Sequence, residues 1–247
     1  MRIVVTNCNT TQEMTEEIVR GARAAAGPGT NVTGLTPSWG PESAEGWLDS
    51  YLSAAAVLDA LRTYDGPRYD AVVMAGFGEH GREGVRELVD VPVVDITEAA
   101  AHLACLLGRR YGVVTTLERS RGQIEDSLET AGVARNCVAV AGTGLGVLDL
   151  AGDPGRTEAA FLAAAERVRE AGAEVLVLGC AGMTGLQRVV GEKLGVPVVD
   201  GVGAAVKLAE SLVALGLTTS RAGSYAKPLV KRRMWGRGPH SGGQAVT

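Results

Sequence analysis

The chain has 247 residues, 46% of them hydrophobic and 21% charged, with a formal net charge of −4. That length buries a substantial core in one large domain or two small ones, and the acidic balance offers no electrostatic footprint for nucleic acid. No apolar run reaches the ~18 residues of a membrane span, and Cys8, Cys105, Cys137 and Cys180 show neither CxxC pairing nor metal-ligand spacing, so neither zinc nor a disulfide framework organises the chain.

In chain order, short β-branched runs alternate with helical patterns. The first strand is expected at 2–6; the chain enters it at once, without the basic-then-apolar layout of a signal peptide, and a cytoplasmic protein is expected. Thr10 and Glu13 form a T-x-x-E capping box, which predicts a helix carrying Met14, Ile18 and Ala22 on one face. Further strands are expected at 31–35, 70–75, 91–95, 111–116, 136–141, 174–179 and 196–200, with amphipathic helices over 156–171 and 202–215. Most of these strands are continuously apolar rather than alternating, which suits a parallel sheet covered on both faces. Cys105, in Ala-rich helical sequence, and Cys137, in a strand-like run, read as small core residues. Lys231-Arg232-Arg233 with Arg237 reads as a solvated charge run, and the Gly/Ser/Pro-rich stretch from Gly236 as a flexible tail.

The pattern is used twice. Val91-Pro92-Val93-Val94-Asp95 recurs as Val196-Pro197-Val198-Val199-Asp200, and ten of the 17 positions from Val91 to Leu107 match at this 105-residue offset. Upstream, with a one-residue gap, the run from Tyr69 to Gly78 mirrors that from Ala173 to Gly182, and Val4-Val5-Thr6-Asn7 echoes Val113-Val114-Thr115-Thr116. Eight strands with helical crossovers in two copies predict an α/β fold of two pseudo-symmetric lobes, each a four-stranded, mainly parallel sheet flanked by helices. The first lobe would hold residues 1–97 and about 202–235, the second 98–201, with 236–247 as the tail and the functional site in the cleft between the copies.

In open parallel sheets, ligands bind beyond the carboxyl ends of the strands. The loops expected there, 6–11, 76–81, 115–119 and 179–184, are rich in Gly, Thr and Asn, which supply amides and hydroxyls for a small polar ligand but also cap helices and make turns. Cys180 is the sharpest candidate: it follows a strand, precedes a helix start and lies between Gly179 and Gly182, a setting that lowers a thiol pKa, although a buried structural cysteine has the same signature. Gly76-Phe77-Gly78-Glu79-His80-Gly81 has the form G-x-G-x-x-G, with Asp95 in the place of a ribose-binding carboxylate. Against a nucleotide, the other copy reads Gly-Cys-Ala-Gly-Met-Thr-Gly there, and Asp95 has a twin in Asp200.

These residues resemble the Asp/Glu/hydantoin racemase superfamily, and its hydantoin and allantoin racemase branch most closely, from residue 1 to about 230. The resemblance rests on Asn7-Cys8-Asn9-Thr10-Thr11, which is similar to the family's N-x-N-[ST]-[ST] opening, on Pro41-Glu42-Ser43-Ala44-Glu45-Gly46 and on Val113-Val114-Thr115-Thr116. It rests further on Leu178-Gly179-Cys180-Ala181-Gly182-Met183 and on Ser224-Tyr225-Ala226-Lys227-Pro228, similar to S-Y-x-K-P. The resemblance implies an isomerase that needs no cofactor and no metal, takes a small-molecule substrate, and uses two cysteines, one per lobe, on opposite faces of an acidic C–H. A homo-oligomer without nucleic-acid or membrane partners is expected. Substrate would be held by Asn9, Thr10, Thr11, Gly76, Phe77, Gly78, Thr115, Thr116, Gly179, Ala181 and Gly182. The chain departs from the pattern where the family's A-C-F-x-[DE]-x-G reads Ala75-Gly76-Phe77-Gly78-Glu79-His80-Gly81, with Gly76 in place of a thiol. His80 or Glu79 is then the candidate second acid/base opposite Cys180 in a variant racemase or epimerase. The alternatives are a single-cysteine lyase resembling arylmalonate decarboxylase, and a catalytically impaired ligand-binding member or engineered variant.

Overall fold

The computed structural model describes residues 1–183 and 186–233; the tail expected at 236–247 lies outside them. The first half runs β1 (Arg2–Thr6), α1 (Gln12–Ala25), β2 (Asn31–Leu35), α2 (Trp47–Arg62), β3 (Ala71–Met74), α3 (Arg82–Leu88), β4 (Val93–Asp95) and α4 (Ile96–Leu107). The second half runs β5 (Tyr111–Thr115), α5 (Arg121–Thr130), β6 (Cys137–Gly142), α6 (Pro154–Glu170), β7 (Val175–Leu178), α7 (Gln187–Leu194), β8 (Val198–Asp200) and α8 (Gly201–Ala214). Two four-stranded sheets result, ordered β2-β1-β3-β4 and β6-β5-β7-β8, with every pairing parallel. The expected α/β fold of two like lobes is therefore present.

The strands read as unbroken apolar runs because each face is covered by different helices. In the first sheet Ile3, Val5, Ala71 and Val73 enter a central core with Ile18 and Ala22 of α1 and Ala205 and Ala209 of α8. Val4, Val72 and Met74 point the other way, against Val57 and Leu61 of α2 and Val85 of α3. The second sheet repeats this: Val113, Val175 and Val177 join the same central core, while Val114, Leu176 and Leu178 meet Phe161, Ala164 and Val168 of α6. Each buried Val, Leu, Ile, Phe or Met among them contributes ~1.5–3 kcal/mol. The central core belongs to both lobes because the helices cross over. α4 leaves the first sheet and packs on β7, and α8 leaves the second and packs on β3 and β4. The two helices meet where they start: a Cβ on Gly201 would lie 2.9 Å from the carbonyl oxygen of Ile96. Ile96 and Gly201 are each other's counterparts in the 105-residue repeat, so the axis relating the lobes passes between them.

The repeated Val-Pro-Val-Val-Asp segments have matching jobs. Pro92 and Pro197 have no N–H to give, and their carbonyls accept from Val72 N–H at 3.0 Å and Leu176 N–H at 2.9 Å. Both edge strands consequently begin two residues later than the run of apolar letters suggests. Asp95 Oδ1 then accepts from Thr97 and Glu98 N–H at 2.8 and 3.2 Å, and Asp200 from Gly203 N–H at 2.8 Å, capping α4 and α8. The capping box expected at Thr10 and Glu13 does not form. Thr11 is the N-cap residue of α1, without a side-chain cap, because the Thr10 hydroxyl donates to Pro41 O at 3.3 Å and a tertiary partner displaces the local one. Residues 218–227 strap back over the first lobe: Arg221 donates to the carbonyls of Arg86 and Glu87, and Lys227 pairs with Asp90 at 3.0 Å. Tyr225 donates to Glu83 with the Arg86 guanidinium over its ring, which gives the Ser-Tyr-x-Lys-Pro segment a structural role. No helix among the described residues is long and apolar enough to cross a membrane.

Candidate active site

Each sheet changes direction between its two middle strands, β1 and β3 in one and β5 and β7 in the other. Loops diverge at such switch points and leave a crevice beyond the carboxyl ends. The two crevices face one another as a single cleft. Asn7, Cys8 and Asn9 enter it after β1; Ala75, Gly76, Phe77 and His80 after β3; Thr115, Thr116, Ser120 and Gln123 after β5; Gly179, Cys180 and Ala181 after β7. Met14, Ile18, Ala44 and Val147 complete its lining. Of the residues expected to bind substrate, Asn9, Gly76, Phe77, Thr115, Thr116, Gly179 and Ala181 line the cleft, while Thr10, Thr11, Gly78 and Gly182 stand behind it. Thr184 lies outside the described residues.

The residues behind the cleft hold its loops in place. Asn7 Nδ2 donates to Asn9 Oδ1 at 2.8 Å and to Thr15 Oγ1 at 3.1 Å, and Asn9 Oδ1 also accepts from Thr11 N–H at 3.0 Å. The two asparagines brace one turn and present Cys8, between them, to the cleft. Thr11 Oγ1 donates to Glu42 O at 2.7 Å and anchors one end of the 41–46 segment. Its other end is held by the second lobe, where Glu45 accepts from Val147 N–H at 2.7 Å and from Ser120 Oγ at 3.2 Å. This segment bridges the lobes and places Ala44 in the cleft wall. Thr115 Oγ1 donates to Gly179 O at 3.1 Å, tying the β5 loop to the loop that carries Cys180.

The glycines of the G-x-G-x-x-G stretch serve backbone geometry. Gly78 and Gly81 have φ of 116° and 94°, where a side chain would be strained, and Gly78 N–H is spent on Thr97 Oγ1 at 2.8 Å. Asp95 is wholly buried as the cap of α4, out of reach of any ribose. Glu79 is likewise engaged, accepting from Gly81 and Arg82 N–H at 2.7 and 3.0 Å at the start of α3. His80 is buried beside the cleft, with Nε2 3.4 Å from Phe77 O and Nδ1 3.3 Å from Ser50 Oγ. A ring carbon, Cδ2, faces Gly76, and burial lowers the imidazole pKa to about 4, so it is neutral at pH 7.

Cys180 sits on the second-lobe side. Burial pushes its thiol up to about 11, overriding the Gly182 N–H that favours the thiolate, so the lowering expected from a helix start is reversed. Cys8, on the first-lobe side, is pushed up to about 12 by burial and then by the neighbouring Cys180. Two of the polar residues that line the cleft have bonding capacity to spare. Gln123 Oε1 is buried without a partner, and the Thr116 hydroxyl has none among the described residues. No group of three or more His, Cys, Asp or Glu among the described residues is placed to hold a metal ion.

The family model for Asp/Glu/hydantoin racemases matches residues 3–209. The chain belongs to the Asp/Glu/hydantoin racemase family. Within it, the chain falls in the hydantoin and allantoin racemase branch and is an isomerase. It is 38% identical to the hydantoin racemase of Paenarthrobacter aurescens over 94% of this chain and 99% of that one. Among solved structures, allantoin racemase from Pseudomonas fluorescens superposes with a TM-score of 0.92 at 53% identity, covering 95% of this chain and 100% of its own. Allantoin racemase from Klebsiella pneumoniae gives 0.89 at 40%, covering 94% and 95%. Arylmalonate decarboxylase, at 18% identity and a TM-score of 0.58, shares the fold alone.

Sequence reasoning passed over several cleft residues of this racemase-family chain. Cys8 had a signal, being a cysteine inside a loop already placed at a strand's carboxyl end. Gln123 and Ser120 had none, because they reach the cleft from α5 and the turn before it, a placement only the packing of α5 decides.

Proposed function

We propose that the chain racemises a 5-substituted hydantoin or a related cyclic amino-acid derivative by proton transfer at the ring carbon beside the carbonyl. Cys180 carries this reading: its thiol stands at the carboxyl end of a central strand, in the cleft where the loops of both lobes meet, with the Gly182 N–H favouring its thiolate. The ring C–H is acidic because the carbanion delocalises into the adjacent carbonyl. A thiolate at Cys180 takes the proton from one face, and protonation from the opposite face completes inversion. The Thr116 hydroxyl is available to the developing enolate oxygen. Gln123 Oε1 is an acceptor that lacks a donor, and a hydantoin ring offers an N–H. The substrate class of the relatives agrees, since allantoin is itself a hydantoin with a ureido group at C5.

The test is incubation of each enantiomer of a 5-substituted hydantoin and of allantoin in deuterated water, followed by optical rotation and by mass at C5. Decay of rotation with deuterium uptake is expected from both enantiomers. Gln123→Leu is expected to raise KM roughly 5- to 30-fold with a smaller change in kcat, as for the loss of one hydrogen bond of ~1–2 kcal/mol. Stable rotation without deuterium uptake, accompanied by release of CO2 from an arylmalonate, would overturn the reading in favour of a lyase.

A further inference from the structure

Inversion at carbon needs an acid/base on each face, and the repeat designates Gly76 as the counterpart of Cys180. Glycine carries no proton, but its place is filled. A Cβ at position 76 would lie 2.7 Å from Cys8 Cβ and 2.9 Å from Cys8 Sγ, and closer still to His80 Cδ2. The backbone is not the obstacle, since Gly76 is absent from the glycines with positive φ; the volume is simply occupied. The parallel register explains why: Thr6 stands opposite Met74, so two residues further along Cys8 comes beside Gly76. A thiol in the loop after β1 therefore stands where a thiol in the loop after β3 would project.

We propose that Cys8 is the second catalytic residue, replacing from the neighbouring loop the thiol that position 76 lacks, on the face of the substrate opposite Cys180. This rests on the racemase reading above. The proton ledger closes without any further reagent. The Cys180 thiolate takes the C5 proton and becomes a thiol; the Cys8 thiol gives its proton to the other face of the enolate and becomes a thiolate. The reverse transfer serves the other enantiomer. His80 does not compete for this role, because its nitrogens face Phe77 O and Ser50 Oγ while a carbon faces the gap. The braces from Asn7 and Asn9 fix the turn that holds Cys8, and Gln123, whose buried side-chain oxygen lacks a donor, lines the same cleft as both thiols.

The test separates exchange from inversion. Cys8→Ala and Cys8→Ser are compared with Cys180→Ala on single enantiomers of a 5-substituted hydantoin in deuterated water. Loss of either thiol is expected to slow racemisation by roughly 10²–10⁴-fold. Each variant is expected to keep deuterium exchange, with retention, on one enantiomer only: Cys8 variants on one and Cys180→Ala on its mirror image. If Cys8 variants racemise like the parent, or are folded by thermal melting yet exchange neither enantiomer, the assignment of Cys8 is overturned while the racemase reading stands. If the unaltered chain neither exchanges nor racemises any hydantoin, the racemase reading fails and takes this inference with it.

Discussion

Both thiols in the cleft hold their protons more tightly than a free cysteine. Burial takes Cys180 from 9.0 to about 11, and burial together with the nearby Cys180 takes Cys8 from 9.0 to about 12. In the mechanism proposed above, the working form has one thiolate and one thiol. Cys180 gives up its proton first, and the resulting charge holds the second proton on Cys8. At neutral pH both sulfurs are protonated, so the working fraction grows tenfold per pH unit. The logarithm of kcat/KM is therefore expected to rise with a slope of about 1 from about pH 6.5 to 8.5. A profile that levels off below about pH 8 would show that the acting base is not a thiol held up by burial. A base with so high a pKa is scarce but strong, which suits a weakly acidic C–H.

At the scale of elements, the close approach of α4 and α8 depends on having no side chain at Gly201. Its φ is ordinary, so the constraint is contact with the backbone of Ile96 and not strain. Gly201→Ala is expected to destabilise the protein by about 1–3 kcal/mol through overpacking. Gly122→Ala in α5, where a Cβ meets nothing within 4 Å, is expected to be neutral or stabilising by up to about 1 kcal/mol. Thermal melting of the two variants checks the pair; equal melting temperatures would remove the special status of the crossing. The element scale also accounts for the repeated aspartates. A parallel edge strand that ends at a helix start needs an N-cap, and Asp95 and Asp200 supply it twice.

Over the whole molecule, the cleft exists because the crossed helices α4 and α8 make one core of two lobes, with the 41–46 segment as a second tie across the opening. The C-terminal strap is separate from that machinery. Arg221 donates to three carbonyls through Nη1 and pairs with Asp90 at 3.0 Å through Nη2, far along the chain from either thiol. Arg221→Ala is expected to cost about 1.5–3 kcal/mol, a fall of roughly 3–12 °C in Tm, and to leave kcat/KM unchanged. The exposed Lys227–Asp90 pair is expected to matter far less. A large loss of kcat/KM in folded Arg221→Ala would mean that the strap controls the cleft.

The sequence by itself determined what depends on local pattern and repetition. The unbroken apolar runs announced parallel strands buried on both faces, the 105-residue echo announced two lobes, and the loops after β1, β3, β5 and β7 were placed correctly around the cleft with Cys180 in one of them. Tertiary structure decided what depends on distance between segments remote in sequence. Thr10 turned from a helix cap to Pro41, Glu79 was taken up by the Gly81 and Arg82 amides at the start of α3, and the imidazole of His80 turned its nitrogens away from Gly76. Cys8 took on meaning only through the register of β1 against β3, which sets its sulfur in the volume Gly76 leaves. One chain's letters record which residues are present in a loop. Which of them share a volume is fixed by strand register and helix packing, and those are settled by the fold as a whole.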